Sequence, residues 1–272
     1  MNARPITGLR EIAGRFDAVL LDQFGVLHDG ARPFPGALEA VRALKGAGLR
    51  LAVLSNSGKR AAANAARLAA LGFERALFDA VVTSGELCRD RLARDLAEGR
   101  LAEGARVLIL SRGDGAALIE GLPLSPTEAA DAAVFLVIAG REPERRSLEQ
   151  DIARLAPLAA RGVPCLCANT DETMYAAGGP APGPGALAAA YAAAGGAVEW
   201  IGKPHRPVFD AALAALGGPE PARALMIGDS PAHDVAGARA LGCATLLVTE
   251  GVQAGGDDAA PAADFAMPRL VW

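Results

Sequence analysis

Four polar stations interrupt the apolar runs of this sequence: Asp22, Ser55 with Asn56, Lys203, and Asp229 with Asp234. Together their residue types suit nucleophilic attack on an anionic group. A carboxylate such as Asp22 can attack when the electrophile is held in line and the charge between two approaching anions is neutralised, often by a divalent cation. The hydroxyl and main-chain N–H groups of Ser55 and Asn56 can bind oxygens and Lys203 can neutralise charge. Asp22 with Asp229 can hold Mg²⁺ through oxygen ligands. Each residue also has a plainer use when taken singly: Asp22 can start a turn, Ser55, Asn56 and Asp229 can cap helices, and Lys203 can be a solvated charge. Their joint occurrence favours one site over four separate coincidences.

The elements that must position these residues read as an alternation of strand and helix. Ala18–Leu21 is an apolar run, expected to be a strand buried on both faces, and it ends on Asp22. Ala37–Lys45 has helical spacing of Leu38, Val41 and Leu44 on one face. A strand over Leu49–Leu54 stops at Ser55, and an Ala-rich helix is expected from Lys59 to about Leu71, with Gly72 as its cap. A third apolar pair, Val81 and Val82, leads to Thr83.

From Ser84 to about Ala197 a second series is expected, with a helix to Ala97, strands Val107–Leu110 and Ala133–Ile138, a helix Glu144–Leu155 and a strand Val163–Cys167. The chain then returns to the first pattern: a helix Pro207–Leu216, a strand Ala224–Ile227 ending at Gly228 and Asp229, a helix through Ala236–Leu241, and a strand Ala244–Val248. The tail from Asp257 is polar until Leu270, Val271 and Trp272, which are expected to dock on the core.

This order predicts an α/β fold: a doubly wound parallel, Rossmann-like sheet from residues 1–83 and 198–272, with a separate α/β unit inserted over 84–197. All the stations but Lys203 directly follow a strand, and a parallel sheet would bring them to its carboxyl edge, where open α/β sheets place their sites.

Composition narrows the function classes. The 272 residues are 51% hydrophobic but only 4% aromatic, so the core must be built from Ala, Leu and Val. The net charge of −4 and scattered arginines argue against a nucleic-acid surface. No apolar run approaches the roughly 18 residues of a membrane span, and the charged N-terminus does not read as a secretory leader, so a cytoplasmic protein is expected. Cys165 and Cys167 lack a second Cys or His pair at zinc spacing, so the cysteines Cys88, Cys165, Cys167 and Cys243 are read as reduced core thiols.

In DQFGVL at Asp22, LSNSG at Ser55, GKP at Lys203 and GDSPAHD at Asp229–Asp234, the sequence resembles the haloacid dehalogenase-like superfamily. The insertion between the second and third motifs, with SGE at Ser84, NTDE at Asn169, GPGAL at Gly183 and GKPHRPVF at Gly202, is similar to class IIA, which includes nucleotide and 4-nitrophenyl phosphatases. The resemblance implies that 84–197 is a cap domain and that the substrate is a small phosphorylated metabolite. It further implies that Asp22 forms an aspartyl-phosphate, and that Asp22, the Phe24 carbonyl and Asp229 ligate Mg²⁺. Asp234 would orient the metal's water or Lys203, and Ser55, Asn56 and Lys203 would hold phosphoryl oxygens. A homodimer through the cap is compatible with the class.

The sequence departs from this family at one place. Phosphatases of the superfamily usually carry a second Asp two residues after the nucleophile as general acid and base, and here that residue is Phe24. An aromatic residue there is similar to the haloacid dehalogenase branch, in which Asp22 would attack carbon and release halide. A third reading is a phospholigand-binding protein with little turnover. His28, His205 and His233 are candidates to replace the missing acid, or are ordinary loop and capping histidines.

Overall fold

The computed structural model describes residues 3–252 and 262–272. In chain order the first elements are β1 (Arg4–Pro5), β2 (Ala18–Leu21), α1 (Ala37–Gly46), β3 (Arg50–Ser55), α2 (Ala61–Ala70), β4 (Ala80–Thr83) and α3 (Ser84–Ala97). Next come β5 (Arg106–Leu110), β6 (Ser125–Thr127), β7 (Phe135–Ile138), α4 (Leu148–Ala160), β8 (Cys165–Cys167), β9 (Thr173–Ala176), β10 (Gly179–Pro182), α5 (Pro184–Ala193) and β11 (Val198–Trp200). The chain closes with α6 (Arg206–Ala215), β12 (Ala224–Gly228), α7 (Ala236–Ala240), β13 (Ala244–Val248) and β14 (Phe265–Met267). No helix among the described residues is long and apolar enough to cross a membrane.

Two compact units result, one from residues 1–55, 62–82 and 203–272, the other from 56–61 and 83–202. The first carries a seven-stranded sheet in the order β1-β14-β13-β12-β2-β3-β4. Its pairings from β1 through β3 are parallel. All four residues of β2 are buried, as a strand covered on both faces requires. Val19 and Leu21 face a core shared with Val41 and Leu44 of α1, whose buried residues recur at helical spacing.

The second unit has a five-stranded sheet in the order β11-β8-β7-β5-β6, every pairing parallel. Alternation along β5 divides its apolar layers. Leu108 and Leu110 join Leu155, Leu158 and Tyr191, whereas Val107 and Ile109 join Cys88 and Leu92 of α3. All four cysteines are buried free thiols.

Several elements differ from the sequence expectation. Val198–Trp200, expected to begin the return to the first sheet, pairs with Cys165–Cys167 and belongs to the second unit. Helix α4 starts at Leu148 instead of Glu144, because Ser147 forms a capping box with Gln150. It runs on to Ala160 through Pro157, since Leu158 and Ala159 still bury against the core. The stretch after Asp229 opens as a π turn over Pro231–Val235 before α7. Part of the expected polar tail, residues 257–261, lies outside the described residues. Beyond it Phe265–Met267 forms an unexpected strand beside β13, and Leu270 is buried with Val271 and Trp272 packed nearby.

Candidate active site

The ends of β2 and β12, neighbouring parallel strands, place Asp22 and Asp229 side by side. The Asp22 N–H still donates to Ile227 O (2.9 Å), continuing the ladder by one residue. Lys203, just before α6, reaches between two carboxylates: its Nζ donates to Asp22 Oδ1 and to Asp234 Oδ1, both at 2.7 Å. Asp234 is aimed by its own turn, because its Oδ2 accepts the Ser230 N–H (3.0 Å). Asp22, Asp229 and Asp234 each offer an oxygen within 4.8 Å of the others, and these three residues and Lys203 are buried.

Burial pushes the Asp22 carboxyl well above the ordinary carboxylate range; Lys203 opposes that rise, and Asp234 and Asp229 add to it. Burial also works against the Lys203 ammonium, but Asp22 and Asp234 outweigh it and hold its pKa above the usual lysine value. Three buried carboxylates around one ammonium leave an excess of negative charge that a bound cation would relieve. An all-oxygen donor set suits a hard ion such as Mg²⁺.

Glycines allow this crowding. Gly25 has φ +94°, and a Cβ there would stand 1.9 Å from Asp229 Oδ2. The Phe24–Gly25 backbone therefore lies directly against Asp229. At Gly228 a Cβ would meet Asp234 Cγ at 2.2 Å. Both positions exclude any larger residue while the acids hold their places.

Ser55 ends β3 in the same unit, buried, with its Oγ accepting from Gln23 Nε2 at 2.6 Å. The same amide nitrogen donates to Asn64 Oδ1 of α2 (2.9 Å), and Gln23 Oε1 is buried without a hydrogen-bond partner among the described residues. Gln23 and Asn64 are absent from the sequence reading. Their signal is a lone Asn on the buried side of an Ala-rich helix, four residues before buried Leu68.

Asn56, in contrast, belongs to the second unit, where its Nδ2 donates to Thr170 Oγ1 and Asp171 Oδ1, both at 2.9 Å. Asn169 Oδ1 accepts the Asp171 N–H at 2.9 Å, closing the turn that the sequence marks as NTDE.

Phe24 is 37% exposed and meets the His28 ring edge to face, with centroids 6.1 Å apart. The Gly30 N–H donates to His28 Nδ1 (2.9 Å), which puts the imidazole proton on Nε2, an atom buried without an acceptor among the described residues. Burial first, then the charge of Arg67, lowers the His28 pKa to about 4. Near neutral pH it is an uncharged imidazole and no proton source. His205 is half-buried, with its pKa lowered by burial and by His233. His233 Nδ1 lies 2.9 Å from Ser230 Oγ, a contact within the turn that holds Asp234.

A haloacid dehalogenase-like hydrolase family model matches residues 19–122, and a HAD-hydrolase-like model matches residues 200–271. Chronophin of Mus musculus is 34% identical over 251 residues, which span 90% of this chain and 84% of that protein. A haloacid dehalogenase-like hydrolase from Brucella suis superposes with a TM-score of 0.85 at 30% identity, covering 100% of both chains. The glycerol phosphate phosphatase of Mycobacterium tuberculosis, solved in complex with magnesium, superposes with a TM-score of 0.68 at 30% identity over 89% of this chain and 71% of that one.

Proposed function

The chain belongs to class IIA of the haloacid dehalogenase-like hydrolases, and on that premise we propose that it is a Mg²⁺-dependent phosphohydrolase. Its substrate is a small phosphorylated metabolite, cleaved through an aspartyl-phosphate on Asp22. The observation that carries this reading is the Lys203 bridge between Asp22 and Asp234, with Asp229 completing a buried triad of acids.

Lys203 holds Asp22 Oδ1, which leaves Oδ2 for in-line attack on phosphorus. The bond from phosphorus to the leaving oxygen breaks, and that oxygen keeps the electron pair. It takes its proton from solvent, because Phe24 has none to give. Water then attacks the phosphorus of the acyl phosphate, releasing inorganic phosphate and restoring the Asp22 carboxylate. Through these steps Lys203 and the Ser55 hydroxyl, whose oxygen is held by Gln23, bind the phosphoryl oxygens. Asp22, Asp229 and the Phe24 carbonyl would hold Mg²⁺, whose charge would neutralise the two anions as they approach. Asp234 keeps Lys203 in place, and the second unit is the cap that selects the substrate.

Attack on carbon, as in a haloacid dehalogenase, needs no cation and would leave the acid triad without a use. A phospholigand-binding protein would keep the site but turn over little. One panel separates the three: phosphate esters and 2-haloacids assayed with and without Mg²⁺, with Asp22→Asn as the blank. Metal-dependent phosphate release, stronger on aryl and acyl phosphates than on alkyl esters, is expected. Metal-independent halide release, or tight ligand binding without turnover, would overturn the proposal.

A further inference from the structure

The five-stranded sheet of the second unit has, counted in its own chain order, the arrangement 2-1-3-4-5. In such a sheet the crossovers leave in opposite directions on either side of the first and third strands, β5 and β7. Their loops part at the carboxyl ends and open a crevice, the general ligand position of open α/β sheets. A cavity of about 310 Å³ lies there, lined by the ends of β5, β6 and β7 and by α4. That volume is at the lower end of the range for small-molecule sites.

Its walls are built by close backbone approach. Gly113, in the loop after β5, has φ +88°. A Cβ on Gly140, just after β7, would stand 2.8 Å from Arg112 N, and one on Gly115 would stand 2.9 Å from Ser111 Oγ. Around this crevice the acids are engaged. Asp151 pairs with Arg141, Glu142 with Arg145 and Glu128 with Arg154. The Asp114 carboxylate accepts the Ala116 N–H.

What is left over is donor capacity. Arg146 lines the cavity, and its side chain makes no ion pair or hydrogen bond among the described residues. Arg154, whose side chain is 16% exposed, spends Nη2 on the carbonyl and carboxylate of Glu128, while its Nη1 is covered and has no acceptor among the described residues. Guanidinium groups with unspent donors match the paired oxygens of phosphate and carboxylate.

We propose that the crevice between β5 and β7 is a binding site of the second unit for the oxyanion of a small phosphorylated or carboxylated metabolite, gripped by Arg146 and Arg154. The proposal stands independently of the reaction at Asp22.

Amide NMR of the full chain tests it, with inorganic phosphate and, in a parallel arm, succinate added at constant ionic strength. Saturable shifts of the Gly113, Gly115 and Gly140 amides are expected in at least one arm, and the arm that responds identifies the oxyanion. Arg146→Ala should weaken that response at least about tenfold, while Arg75→Ala, which removes the same charge from the first unit, leaves it unchanged. Phosphate bound beside Asp22 would report at Gly25, and that response should survive Arg146→Ala, which also shows that the variant is folded. No saturable shift at the three glycines in either arm, or an equal shift in Arg146→Ala, would overturn the proposal.

Discussion

Replacing Phe24 by Asp should supply a general acid and base two residues after Asp22. Because Phe24 is 37% exposed, a carboxylate there keeps contact with water and ionises without a large burial penalty. The neighbouring acids Asp22 and Asp229 would raise its pKa, which favours an acid able to give up its proton. The lost ring contacts with His28 and Gly30 concern a side chain about two-thirds buried, so the stability cost is about 1–2 kcal/mol. A positioned general acid and base contributes about 10²- to 10⁴-fold in rate. That full gain is expected on an alkyl phosphate, whose alkoxide leaves poorly. On 4-nitrophenyl phosphate, whose leaving group needs little protonation, less than about tenfold is expected. The assay is phosphate release with Mg²⁺ on both esters, with the double variant Asp22→Asn/Phe24→Asp as blank. Equal gains on the two esters, or no gain on the alkyl ester in a folded variant, would refute the reasoning.

Other outcomes follow from the same geometry. Gly25→Ala places a Cβ against Asp229 in a left-handed backbone; it should abolish turnover and weaken Mg²⁺ binding, read by calorimetry, with stability lowered by about 1–3 kcal/mol. Gln23→Leu removes the donor to Ser55; kcat/KM should fall roughly tenfold, whereas a loss of Tm alone would show that Ser55 is not used. His28 has a folded pKa near 4, below its unfolded value near 6.5. Between those values the unfolded chain binds the extra proton, so stability should fall as pH drops from 6.5 towards 4, and His28→Phe should flatten that slope in urea titrations.

Much of the first unit is legible in the sequence because its central strands are buried on both faces. Such strands read as unbroken apolar runs, and the first polar residue after each marks the sheet edge, as at Asp22, Ser55 and Asp229. The edges are harder to read. β1 and β14 are two and three residues long, too short for any periodicity, and exist only because they pair with each other beside β13. β11 carries no mark of which sheet it will join, since that choice is made by pairing with β8. The start of α4 was legible in principle, as Ser147 and Gln150 are a capping box, but Glu144 and its neighbours mimic a first turn. The support of Ser55 was not, because Gln23 and Asn64 are 41 residues apart and meet only in the fold. Asn56 adjoins Ser55 in sequence, yet its amide serves the Thr170–Asp171 turn.

The central claim is that Asp22 becomes phosphorylated. Acid quenching during turnover of an aryl phosphate with Mg²⁺, followed by peptide mass spectrometry, tests it directly. A phosphoryl adduct on the peptide that contains Asp22, absent without Mg²⁺ and absent from Asp22→Asn, is the predicted result. Phosphate release that continues in Asp22→Asn, with no adduct on the wild-type peptide, would contradict the account.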